Sequence, residues 1–214
     1  MSIGVERTMV RVNINLLMSL LMLVGIVPAV SAADGNPVKG QSLTSTCVAC
    51  HGKDGNSIAG SFPNIAGQGE NYLYKQMTEI QSGVRAAPLM AGILDNMSDQ
   101  DLKDLAAYYA GQTAAAGAAK ADLAAQGEEI YRAGIARKQI AACTACHSPT
   151  GQGNDPAGFP ALKGQWPEYT IAQLEAFRSG ERMNDGDSKM MRLITLDMSD
   201  PEIEAVASYL RGLR

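Results

Sequence analysis

Three observations predict an all-α protein made of two tandem copies of one domain. Apolar residues fall at helical spacing, no stretch sustains an apolar/polar alternation, and a set of residues recurs in unbroken order about 97 positions later. Taking the chain in order, Arg7 and Arg11 precede an apolar run over residues 14–27 and then Val30-Ser31-Ala32, with small residues where signal peptidase reads. Residues 1–32 therefore read as a cleaved secretory leader, because a run of 14 residues is short of the roughly 20 needed to span a bilayer. A first domain is expected over 33–113, and a linker with the second domain over 114–214. The connector itself is an Ala/Gly-rich stretch over 112–122. Each copy should hold three main helices. One runs into a cysteine motif from Pro37 or Ala125, one covers 70–81 or 167–178, and one covers 99–110 or 200–211. Pro167 is tolerable in a first helical turn. Gly40 with Tyr108, and Gly127 with Tyr209, suggest that the first and last helices of each copy cross closely. The second copy has about nine extra residues between Gly127 and its cysteines.

The repeat has three blocks. Cys47, Cys50 and His51 map onto Cys143, Cys146 and His147 at an offset of 96. Phe62-Pro63, Gly67-Gln68, Tyr72, Gln76 and Ser82-Gly83 recur 97 residues on, and Met90, Met97-Ser98-Asp99 and Tyr108 recur 101 residues on. Three collinear blocks with small insertions indicate duplication.

The chemistry sits in the first block. The only two histidines and the only four cysteines of the chain form two CxxCH pentapeptides, CVACH and CTACH. Two thiols three positions apart can add to the two vinyl groups on one haem edge, while the next imidazole is carried beneath the iron. The motifs therefore read as two covalently attached c-type haems. Zinc or disulfide chemistry fits less well. An all-cysteine zinc site would have to bridge 92 intervening residues and would leave both adjacent histidines unexplained.

Composition agrees. Removal of residues 1–32 takes Arg7, Arg11 and Glu6 and leaves 16 basic and 21 acidic side chains, a formal charge of −5, which argues against a nucleic-acid partner. Aromatic content is 5%, and each half is short for an unaided core, so a buried haem would supply missing apolar bulk.

With both histidines committed, bis-histidine ligation within the chain is excluded and methionine leads for the sixth iron position. Seven methionines follow the leader, and two pairs survive the repeat: Met90 with Met191, and Met97 with Met198. Ser98 and Ser199 stand where helix caps belong, with Asp101 and Glu202 three residues later, and Glu202 completes a capping box. Met97 and Met198 then serve as hydrophobic staples onto Leu102 and Ile203. Met90 and Met191 lie earlier, in loops near Pro88 or Gly186, and are the candidate ligands, with Met190 the competitor to Met191. Pro63 and Pro160 are candidates for carbonyls that accept the second ring proton of each histidine. Tyr72, Trp166 and Tyr169 carry no claim beyond packing near haem or between domains.

The segments CVACHGKDGNS and CTACHSPTGQGND, with FPNIAGQ and FPALKGQ, the RMNDGDSKMMR loop and two MSD helices, closely resemble the dihaem cytochrome c4 family over essentially the whole mature chain. The resemblance implies two class I cytochrome c domains related by a pseudo-twofold axis, with His51/Met90 and His147/Met191 as axial ligands. It also implies a periplasmic electron carrier loosely associated with the outer face of the inner membrane. Such a carrier would pass electrons between a quinol-oxidising complex and a terminal oxidase. Competing classes are a dihaem peroxidase, for which the chain lacks a third histidine, and a cytochrome subunit of a dehydrogenase such as a flavoprotein that oxidises sulfide. Met90→Ala and Met191→Ala should each remove one thioether-to-iron charge-transfer band from the red end of the oxidised spectrum. An unchanged spectrum would sink the ligand assignment.

Overall fold

Asn36 starts the first helix. Its side-chain oxygen accepts from the Val38 and Lys39 N–H groups at 3.0 and 3.2 Å, and Pro37 occupies a first-turn position where no N–H is needed. In this computed structural model, which describes residues 35–214, the first copy contains α1 (Pro37–Leu43), α2 (Val48–His51), α3 (Glu70–Gln81) and α4 (Asp99–Ala110). The second contains α5 (Ala121–Ala133), α6 (Thr144–His147), α7 (Pro167–Ser179), α8 (Met190–Thr195) and α9 (Asp200–Gly212). Among the described residues there is no strand, only the isolated bridges Ile135–Ile140 and Asn154–Phe159. The leader expected over 1–32 lies outside these residues. No helix of the described residues is long and apolar enough to cross a membrane.

The structure departs from the expected helices in three places. The opening helix does not run into the cysteines. In the first copy the Ser42 and Thr44 hydroxyls bond back to the Lys39 and Gln41 carbonyls, which competes with continued helix, and a 3-10 turn (Thr44–Thr46) follows. In the second copy Gly134, at φ 73°, ends α5, and the extra residues form a small loop closed by the Ile135–Ile140 bridge. Next, α5 begins at Ala121 rather than Ala125, because Lys120 N–H is held 2.9 Å from the Ser208 hydroxyl of α9. Finally, Met190 and Met191 are not in a loop but open a short helix, α8, entered through Lys189 in the left-handed region at φ 51°.

The first helix of each copy crosses the last at a glycine. A Cβ on Gly40 would stand 2.0 Å from the Asp104 carbonyl oxygen, and one on Gly127 would stand 2.2 Å from that of Ala205. Only hydrogen fits at either crossing. Around each crossing lies a separate apolar core. The first is built on Leu73, Leu94, Leu102, Leu105 and Tyr109, and the second on Ile130, Tyr131, Ile203, Val206 and Leu210. Met198 is buried in the second core beside Ile203, and Met97 packs against the core that contains Leu102.

The two copies meet through paired polar contacts. Gln165 accepts from the Asn64 N–H at 2.8 Å and donates to the Asn64 carbonyl at 2.9 Å. Gln68 does the same to Ala161, at 2.7 and 2.9 Å. Asn71 and Asp155 add further contacts, and the Trp166 indole N–H donates to the Ser57 carbonyl at 3.0 Å. Deeper in, Arg85 reaches Tyr169 and Gln173 of the second copy, and Arg182 reaches Tyr72 and Gln76 of the first. Tyr72, Tyr169 and Trp166 are thus interdomain hydrogen-bonding groups.

The insertion in the second copy folds against the start of α9. Arg137 and Lys138 place guanidinium and ammonium groups 2.6 and 2.7 Å from the two carboxylate oxygens of Glu202, which also accepts the Ser199 N–H at 2.8 Å. The equivalent box of the first copy, Ser98 with Asp101, is solvent-exposed. Burial pushes the Glu202 carboxyl up, but the hydrogen bonds from Lys138 and Ser199 outweigh it and hold the pKa at about 2. An acid whose pKa is depressed on folding stabilises above its unfolded value and loses that contribution as pH falls through the folded value. Acidification from pH 4.5 to 2 should therefore cost the second domain on the order of 2 kcal/mol through this group. Glu202→Gln should flatten that part of the stability–pH curve, measured by thermal unfolding.

Candidate haem sites

Each CxxCH motif occupies one turn of helix. Cys47 precedes α2 and His51 ends it, while Cys143 precedes α6 and His147 ends it. Spacings of i, i+3 and i+4 bring both thiols and the ring to one face. The chain then loops back. Gly55 O accepts from Ile65 and Ala66 N–H at 2.8 and 3.0 Å, and Gly151 O accepts from Leu162 and Lys163 N–H at 2.8 and 3.1 Å. The return of each loop is tied to its last helix, with Gly67 N–H to Tyr109 O and Gly164 N–H to Leu210 O, both at 2.9 Å.

This loop places Pro63 O 2.9 Å from His51 Nδ1, and Pro160 O 2.9 Å from His147 Nδ1. A carbonyl oxygen only accepts, so Nδ1 carries the proton in both rings and Nε2 keeps its lone pair for a metal. The two imidazoles are 8% and 7% exposed. Burial lowers the pKa of both below the ordinary histidine value, against the opposing pull of the carbonyl hydrogen bond. The neutral ring is the ligating form. The Phe159 ring stands edge-on to His147 at a centroid distance of 6.2 Å.

The methionines are distributed unequally. Met90 closes a 3-10 turn (Pro88–Met90), is half-buried, and borders the same apolar core as Cys47. In the second copy Met191 is half-buried in the first turn of α8, whereas Met190 is more exposed, with Sδ 3.9 Å from Cys146 Sγ. Asp185 anchors this segment, accepting from the Arg192 N–H at 3.0 Å and from its Nε at 2.8 Å. In the first copy Met77, Met90 and Met97 all border the core that Cys47 borders, and in the second it is Met190, next to Met191, that touches a cysteine of the motif.

The residues fit a haem on several independent counts. All four thiols are free of disulfides and partly accessible, and burial pushes Cys143 up to about 11, so it is poorly disposed to act as a thiolate. The Tyr109 hydroxyl is buried without a hydrogen-bond partner, and burial together with the neighbouring Cys47 raises its pKa. Arg85 Nε is likewise buried and unpartnered. Neither the Arg85 nor the Arg182 guanidinium has a carboxylate within ion-pair distance among the described residues. Arg85 bonds Gln76, Tyr169 and Gln173, and Arg182 bonds Gln173, Tyr72, Gln76 and Asn184. Burial opposes ionisation of Tyr72, but the two cations outweigh it and pull its pKa down. Glu79 offsets part of this positive charge and raises the Arg85 pKa, and the remainder would suit a group that brings carboxylates. The arginine pair escaped the sequence reading, although Arg182 follows Arg85 at the same offset of 97 as the tyrosines and glutamines.

Two helical domains, each carrying a buried imidazole with a free Nε2 next to a pair of thiols on one helical turn, define a tandem c-type cytochrome. Comparison with known proteins agrees. The Cytochrome c family model matches residues 37–111 and 124–214. Cytochrome c4 of Pseudomonas aeruginosa is 49% identical over 198 residues, covering 92% of this chain and 98% of that protein. The crystal structure of reduced recombinant cytochrome c4 from Pseudomonas stutzeri superposes with a TM-score of 0.83 at 47% identity, covering 84% of this chain and all of that one. A thiosulfate dehydrogenase electron acceptor of Stutzerimonas stutzeri is 37% identical, with 85% of this chain and 87% of that protein covered.

The chain belongs to the cytochrome c family and, within it, to the dihaem cytochrome c4 group. It carries two covalently bound haem c groups, on Cys47/Cys50 and Cys143/Cys146, and is an electron-transfer protein rather than an enzyme. With every cysteine consumed, the denatured holoprotein should take up no iodoacetamide. Cys143→Ala should expose no thiol either, but should leave the second haem on a single thioether bond and shift the reduced α-band of that haem to the red.

Proposed function

We propose that the protein is a periplasmic one-electron carrier that accepts electrons from a quinol-oxidising complex or another redox protein and delivers them towards a terminal oxidase. The observation that carries this reading is the buried imidazole in each domain, held through Nδ1 by a proline carbonyl so that Nε2 keeps its lone pair, on the same helical turn as a pair of thiols. When bound, each haem supplies a ferric/ferrous couple. His51 and Met90 would hold the first iron, and His147 and Met191 the second. Pro63 and Pro160 hold the histidine rings in register, and Met190 remains a surface residue beside Cys146. Held by a histidine and a methionine each, neither iron would be open to a substrate, which suits a carrier.

Export by a leader cleaved after Ala32 places the carrier where c-type haem is attached, and a loose association with the outer face of the inner membrane would keep it near its partners. A second reading has specific support. The likeness to a protein named as a thiosulfate dehydrogenase electron acceptor favours a role as the cytochrome partner of a dehydrogenase, of which a sulfide-oxidising flavoprotein is another form. Reduced protein mixed with oxidase-containing membranes of its own source should be reoxidised at a cyanide-sensitive, salt-dependent rate. Failure of that reaction, with stoichiometric co-purification of a dehydrogenase that reduces the protein, would replace the first reading with the second.

A further inference from the structure

The two interdomain glutamines hold more than the halves together. The Asn64 N–H that Gln165 accepts belongs to the same peptide group as the Pro63 carbonyl that accepts from His51. An unbroken chain therefore runs from His51 Nδ1–H to Pro63 O at 2.9 Å, across one planar peptide, and from Asn64 N–H to Gln165 Oε1 at 2.8 Å. The second copy repeats it with the halves exchanged. His147 Nδ1–H meets Pro160 O at 2.9 Å, and the Ala161 N–H of the same peptide meets Gln68 Oε1 at 2.7 Å. Each glutamine closes its grip with a second bond, to the Asn64 or Ala161 carbonyl, and each amide oxygen is fixed by the next N–H of its own chain, Trp166 at 3.0 Å for Gln165 and Gly69 at 2.8 Å for Gln68.

Amide resonance couples the two ends of a peptide. An acceptor on its N–H shifts electron density to its carbonyl oxygen and strengthens that oxygen as an acceptor, so consecutive hydrogen bonds reinforce one another in a low-dielectric interior. A stronger acceptor at Nδ1 makes the imidazole a better donor at Nε2, and a better donor favours the ferric state. We propose that Gln165 and Gln68 are crosswise positioning residues. Gln165, in the second domain, sets the orientation and basicity of His51 in the first, and Gln68, in the first, sets those of His147 in the second. Each haem is thus tuned from the opposite domain, and separation of the domains loosens both histidines together. The inference rests on His51 and His147 being iron ligands.

The test uses the full dihaem protein with Gln165→Leu, Gln165→Glu and the matching Gln68 variants. In the oxidised protein, hyperfine-shifted proton resonances assign each haem to its domain. Shifted His51 and His147 ring protons establish iron ligation on their own, so failure of the ligand reading shows separately from failure of the crosswise one. Gln165→Leu should raise the potential of the first haem, with a roughly threefold change in its redox equilibrium, about 28 mV, while leaving the second haem in place. It should also move the His51 Nδ1–H resonance upfield in the reduced protein and leave that of His147 unmoved. Gln165→Glu, which keeps an acceptor at Asn64 N–H and makes it anionic, should lower the first potential. The Gln68 variants should show the mirror pattern on the second haem. Equal shifts of both haems, a shift confined to the mutated domain, or no change in either Nδ1–H resonance would overturn the proposal and leave the glutamines as interface contacts alone.

Discussion

The bond from each buried imidazole to a proline carbonyl governs how the rest of the chain is arranged. It fixes the tautomer, so that Nε2 is left as a lone pair, and it requires the segment after the cysteine motif to return over 12 residues in one copy and 13 in the other. The return is held by Gly55 and Gly151, whose carbonyls each take two N–H groups, and by Gly67 and Gly164, which tie its end to the last helix. Because that last helix crosses the first at Gly40 or Gly127, the ring, the loop and the helix pair form one connected unit in each domain. The same peptide that receives the ring proton faces the other domain, so the ligand geometry and the interface share an element.

Duplication explains both the symmetry and its failures. The glutamine clamps and the arginine–tyrosine pairs exchange across the interface because each copy supplies the same donor and acceptor at the same offset. Where the copies diverge, the structure diverges with a visible cause. The inserted segment of the second copy brings Arg137 and Lys138 onto Glu202 and turns an exposed capping box into a buried, charged one. The Asp185–Arg192 contact and the left-handed Lys189 give the second methionine segment a helix where the first has only a 3-10 turn. The two haem sites therefore have unlike surroundings, and their iron chemistry is free to differ.

Much of the site was legible because covalent haem attachment is a local constraint. Cys47, Cys50 and His51 must lie within one turn, so the motif is visible in five letters; the helices over 99–110 and 200–212 are marked by the Ser98 and Ser199 caps, and that over 70–81 by apolar spacing alone. Illegible features depended on partners distant in the chain. The Ser208 hydroxyl accepts from the Lys120 N–H, 88 residues earlier, and so starts α5 at Ala121. The break before each CxxCH reflects hydroxyls or a glycine that outcompete helix over a few residues, and a periodicity window spans such a break without registering it. Arg85 and Arg182 gave the clearest available signal, the repeat offset itself, but a lone exposed-looking arginine has no local mark of burial.

By itself the sequence determined the all-α class, the tandem repeat, the two CxxCH motifs, and the exclusion of bis-histidine ligation, since each follows from residue identity, count and spacing within a few turns. The recurring Pro63 and Pro160 also pointed to the carbonyls that the rings meet, whereas only the tertiary structure decided that Gln68 and Gln165 each grip the peptide beside the other domain's histidine and that Arg85 and Arg182 reach across the interface. These are contacts across 84 to 110 positions. Such contacts are selected by the packing of whole domains against one another, and no local propensity encodes which of many polar partners a given amide will meet.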